Sequence, residues 1–62
     1  MFDDRITVLL LAALEEECKT NNIALSVIDK VRAYGYKKAL NYTSKAEKII
    51  YEKAYNRIKK YL

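Results

Sequence analysis

The chain contains no proline and a single glycine, Gly35. Tight turns draw on these two residues, because proline presets φ and glycine alone reaches positive φ without strain. A sequence almost without them has little material for hairpins but can build helices joined by short connections. This predicts an all-α fold, and the hydrophobic spacing shows where the helices lie.

The first helix is expected over about residues 4–19, with Asp3 or Asp4 as its cap. Ile6, Leu9, Leu10, Ala13 and Leu14 recur at helical spacing and form one apolar face. Val8, Leu11, Ala12 and Cys18 make much of the other side apolar as well. A helix apolar all round has to be covered all round. These four residues are therefore the expected interface of a homodimer, or of a partner protein. The bland alternative is that the helix lies at the centre of a compact monomer.

Thr20-Asn21-Asn22 reads as a stop followed by a new start, so a second helix is expected over about 22–34. Ala24, Val27, Ile28, Val31 and Gly35 fall on its inner face. Gly35 either ends it as a left-handed cap, the commoner use, or lets a neighbouring helix approach closely. Residues 36–42 then form a short helix or turn carrying Lys37 and Lys38. Ser44-Lys45-Ala46-Glu47 has the form of a capping box, in which serine and glutamate each satisfy a backbone donor of the first helical turn. A helix over about 45–61 follows, with Ala46, Ile50, Ala54, Ile58 and Tyr61 as its inner stripe. The architecture expected is a single domain with a three-helix bundle, or four helices if 36–42 is counted. If the capping box is a coincidence, 36–62 is one long helix.

At 62 residues the core is thin, and small domains usually need disulfides, a metal or another chain. Cys18 has no second cysteine to pair with, and there is no histidine, so neither a disulfide nor a zinc site is expected. Self-association is the remaining support. The apolar run Ile6–Leu14 is far shorter than the ~20 residues of a membrane span. The acidic opening Met1–Arg5 is unlike a secretory signal, and with a lone thiol the expected compartment is the cytoplasm.

Catalysis finds no foothold. Without histidine, acid–base work would fall to carboxylates, lysines or tyrosines. Glu15, Glu16 and Glu17 fan around a helix, Ser26 and Ser44 have no base beside them, and there is no glycine-rich phosphate loop. The chain is read as non-enzymatic, with no cofactor and no metal.

Charge gives a direction instead. The net charge is +4, and it is unevenly placed. Residues 1–19 carry five acids against Arg5 and Lys19, or −3, whereas residues 20–62 carry ten Lys and Arg against three acids, or +7. On the last helix Lys48, Tyr51, Tyr55, Lys59 and Leu62 line one flank, with Lys45, Lys53 and Lys60 facing outward. Lysines over phosphates beside tyrosine rings that can stack are one way to hold a nucleic acid. The expectation is a nucleic-acid-binding protein, DNA ahead of RNA, touching phosphate through Lys45, Lys48, Lys59 and Lys60. Tyr51 and Tyr55 would be stacking platforms, and Lys37, Lys38 and Arg32 secondary contacts. The bland reading is a set of tyrosines bordering the core between solvated lysines. The rival function is a protein-interaction module, adaptor or inhibitor, docking through the first helix.

A different DNA-binding layout has to be weighed. Arg5-Ile6-Thr7-Val8-Leu9 alternates and holds β-branched residues; with a helix ending near Asn22 and another opening at Ile23-Ala24-Leu25-Ser26, it loosely resembles the ribbon-helix-helix repressors. The resemblance covers roughly residues 4–34 and implies strands paired across a dimer, with Arg5 and Thr7 pointing into the major groove.

Overall fold

In a computed structural model that describes residues 5–62, three helices pack on one another. They are α1 (Arg5–Cys18), α2 (Ile23–Ala39) and α3 (Lys45–Ile58). Single 3₁₀ turns follow α2 at Leu40–Tyr42 and α3 at Lys59–Tyr61. The architecture is the small all-α bundle that the near-absence of glycine and proline predicts. The capping aspartates Asp3 and Asp4 lie outside the described residues.

Arg5–Leu9 is helical, which overturns the ribbon-helix-helix alternative. The six strong helix formers from Leu9 to Leu14 propagate the helix back through Ile6, Thr7 and Val8, whose β-branching costs only a few tenths of a kcal/mol each. Those residues then serve the helical period. Thr7, Leu10, Ala13, Leu14 and Glu17 are buried, with Ile6, Leu9, Leu11 and Cys18 partly buried against the core. The apolar arc is wide because α1 meets two helices, α2 and α3, at once. Outside it lie Val8, Ala12, Glu15 and Glu16.

The inner face of α2 is the one expected: Ala24, Val27, Ile28, Val31 and Gly35 are all buried. Asn21 Oδ1 accepts from the Ile23 N–H at 3.0 Å and so opens the helix from one residue before its cap position. Gly35 has φ 84° and ψ 166°. Its φ is positive, as expected, but its ψ is not that of a left-handed cap. This region is essentially closed to residues with a Cβ, and here it kinks α2 so that helical structure resumes at once on a new axis. The segment beyond the kink is tied down twice. Tyr34 stacks on Tyr42 with ring centroids 4.3 Å apart, and the Tyr51 hydroxyl donates to the Tyr36 carbonyl at 2.7 Å.

The capping box at the start of α3 is formed: Ser44 Oγ accepts from Glu47 N–H at 3.3 Å, and Glu47 Oε1 accepts from Ser44 N–H at 2.8 Å. It separates the post-kink segment from α3, so 36–62 is not one long helix. The buried stripe of α3 differs from the one expected at its ends. Ile50, Ala54 and Ile58 are buried, joined by Glu47 and Tyr51, whereas Ala46 and Tyr61 are exposed. The helix is rolled toward the post-kink segment, because Tyr51 offers far more surface to bury than Ala46.

Candidate functional site

The cations of the chain divide into two groups by what they touch. Glu17, only 3 % exposed, sits between α1 and α3 with Arg57 at 3.0 Å and Lys53 at 3.7 Å. Its Oε2 nonetheless has no aligned hydrogen bond, so charge rather than hydrogen-bond geometry joins it to Arg57. Glu47 is held more completely: besides its capping bond it accepts from Lys30 Nζ at 2.6 Å and from the Ser26 hydroxyl at 2.5 Å. Lys30, then Ser26 and the Ser44 backbone, lower the Glu47 pKa to about 2 against the opposing effect of burial. Lys19, just past the end of α1, pairs with Glu16.

The second group has no ion pair. Arg32, Lys37, Lys38, Lys45, Lys48, Lys59 and Lys60 are all exposed and stand clear of every described carboxylate. Lys60 lies 5.3 Å from the ring of its neighbour Tyr61, its one recorded contact. The seven cations expected to meet phosphate are thus all unpaired, and Arg5 at the start of α1 is the one other described cation without an ion pair. Lys53, the one outward lysine of α3 not assigned that role, is committed to Glu17.

Between the post-kink segment and α3 runs an open groove of about 520 Å³. Tyr36, Lys37 and Leu40 form one wall, and Glu52, Tyr55 and Asn56 the other. Tyr51 lies at its base, only 4 % exposed, with its ring 6.3 Å from that of Tyr55 and nearly parallel to it. Burial, and to a lesser degree the neighbouring tyrosines, raise the Tyr51 pKa to about 12. This corrects one expectation. Tyr51 shares the flank of Tyr55 but its ring is spent on the core and its hydroxyl on Tyr36, so no base can stack on it. Tyr55 and Tyr36, both half-buried, are the rings left facing the groove. Lys48 and Lys59 continue the Tyr55 flank at either end of the groove, since residues three and four apart share a helix face.

Neither protein-family models, curated proteins nor solved structures contain a match to this chain. No helix among the described residues is long and apolar enough to cross a membrane.

Spacing puts Lys48, Tyr55 and Lys59 on one flank, and Lys37 is a secondary candidate, but nothing in the spacing sets Tyr36 and Lys37 opposite that flank. Tyr36 and Lys37 join the site only because Gly35 redirects the chain, and no local pattern in the sequence announces that angle. From sequence, Glu17 is treated only as one of three acids fanning around a helix and is not singled out for burial. A signal for its burial was present in the spacing of Leu10, Leu14 and Glu17, which places it directly below two core leucines. Thr7 is likewise buried, with its hydroxyl unpartnered, and nothing in the structure explains it.

Proposed function

We propose that this is a small non-catalytic nucleic-acid-binding protein that grips the phosphate backbone with Lys37, Lys45, Lys48, Lys59 and Lys60. The observation carrying this reading is the division of the cations. Glu17 and Glu47 are buried against Lys53, Arg57 and Lys30, which leaves Glu52 as the exposed acid beside these lysines. A set of exposed cations that outnumbers its counter-charges raises the local potential and releases counterions when phosphates replace them. Lys48 and Lys59 stand about 16 Å apart along α3, given ~1.5 Å per helical residue, so the strip reaches several nucleotides.

The rival reading, docking of a protein on α1, has less surface than the sequence implies. Leu11 and Cys18 are half-buried against the core, leaving Val8 and Ala12 as the exposed apolar residues of the four. A patch of that size is ordinary for a protein surface.

The test is fluorescence anisotropy with labelled duplex and single-stranded oligonucleotides at ~50 and ~200 mM salt. Binding should fall steeply over that range. Reversing Lys45, Lys48, Lys59 and Lys60 to glutamate should cost at least ~100-fold in affinity and flatten the salt slope by about 3, at ~0.7 per lost phosphate contact on single strands. Circular dichroism should show the variant still folded, since none of the four makes an ion pair and only Lys60 makes a contact, with the exposed ring of Tyr61. No binding by the native chain at low salt would overturn the reading.

A further inference from the structure

The groove contains one residue that phosphate binding does not explain. Glu52 lines it, is exposed, and has neither a hydrogen bond nor an ion pair, although Lys48 precedes it by one helical turn and Lys37 lines the opposite wall. A carboxylate there weakens the grip on a backbone. Asn56, one turn further on, lines the groove beside it. A ring face, a free carboxylate and an amide are the parts needed to read the edge of an unpaired base.

Resting on the nucleic-acid reading, we infer that the groove takes a single unpaired base and selects guanine. Tyr55 and Tyr36 provide the ring surface, and base–aromatic stacking is indifferent to which base it holds. Selection comes from Glu52. A carboxylate only accepts, and its two oxygens are best met by two parallel N–H donors. Guanine alone presents such a pair on its pairing edge, the N1–H and the N2 amine. Adenine and cytosine place an acceptor nitrogen next to their amine, facing the carboxylate with a lone pair. Uracil and thymine flank their one N–H with two carbonyls. The Asn56 amide can donate to guanine O6, the acceptor beside that edge. In a duplex the same edge is occupied by cytosine, so the site works on single strands and is idle on duplex.

The same groove explains why the post-kink segment is fastened so firmly. The Tyr34–Tyr42 stack holds the post-kink wall in shape, and the Tyr51–Tyr36 hydrogen bond fixes that wall relative to α3. A groove that must hold a base between two walls needs that spacing preset.

The experiment uses the full chain and thymine-only single strands carrying one central guanine, inosine, adenine or cytosine, by anisotropy at ~50 mM salt. Guanine should bind on the order of tenfold tighter than the other natural bases, as one bidentate contact gives. Inosine, which keeps N1–H but lacks the N2 amine, should fall between. Glu52→Gln should erase the guanine preference by lowering the affinity of the guanine strand toward the others, while the adenine and cytosine strands bind at least as tightly as before because a repulsive charge has gone. Equal affinities for all strands with steep salt dependence would overturn this inference and leave the backbone reading standing. So would an undiminished guanine preference in the variant. No binding to any strand would overturn both.

Discussion

The two flanks of α3 carry similar residues and use them in opposite ways. On the flank toward α1, Lys53 and Arg57 close over the buried Glu17. On the flank toward the post-kink segment, Lys48 and Lys59 make no ion pair, and Glu52, the acid beside them in the groove, is exposed and unpaired as well. Both pairs are exposed lysine or arginine at helical spacing, so composition does not separate them. What separates them is whether the facing helix presents a carboxylate. A charged helix surface is therefore read by what lies opposite it, and the cations left over are those available to a partner.

The sharpest way to break that comparison is to reverse the paired flank. Lys53→Glu with Arg57→Glu leaves Glu17 buried beside two like charges. Breaking a buried pair costs ~3–5 kcal/mol, but both cations are about half exposed and solvent screens them, so a loss of about 2–4 kcal/mol is expected. Urea unfolding gives the stability, and anisotropy of the remaining folded protein should show oligonucleotide affinity reduced far less than by the same reversal of Lys48 and Lys59. Equal losses of affinity on the two flanks would dissolve the distinction.

The second acid, Glu47, sharpens it through pH. Its pKa is lowered from 4.5 to about 2 in the fold, so the stabilisation is fully present above pH 4.5 and is lost as pH falls toward 2. The sign is that of a carboxylate held charged by Lys30. Allowing for screening at Lys30, which is 30 % exposed, the contribution is about 2 kcal/mol. Glu47→Gln should lose that much at neutral pH, and its unfolding curve should be flatter between pH 4.5 and 2 than that of the native chain. Nucleic-acid affinity should hold, because the released Lys30 adds a cation rather than removing one.

How far each region was legible follows from the range of the interactions that build it. The inner face of α2 was read without error, and the capping box of α3 with it, because both depend on residues three and four apart. Of the apolar excess of α1, Leu11 and Cys18 fold into the edge of the core, whereas Val8 and Ala12 stay exposed and open to a second chain. Tyr51 and Tyr55 could not be told apart, since they share a flank and differ only in which meets the far wall. That wall depends on a backbone angle at Gly35, which sequence identifies as special without fixing its ψ. The unpaired lysines were picked out by their spacing, and their freedom could be established only once every acid was placed.

The smallest effect expected belongs to the one atom joining the two walls of the groove. Tyr51→Phe keeps the buried ring and removes the hydroxyl that donates to the Tyr36 carbonyl. A net hydrogen bond of this kind is worth about 1 kcal/mol, and the carbonyl left behind lies near the groove where water can reach it. The loss should therefore be about 1 kcal/mol or slightly less by urea unfolding. Alkali gives a second reading of the same atom. With its pKa raised from 10.0 to about 12, Tyr51 favours the fold while neutral, so its contribution is whole below pH 10 and is lost as pH rises toward 12. The phenylalanine variant should lack that part of the alkaline decline. If the hydroxyl sets the groove width, the variant should also bind single strands less tightly than the native chain while binding duplex equally well. Unchanged single-strand affinity would mean that the Tyr34–Tyr42 stack holds the wall without it.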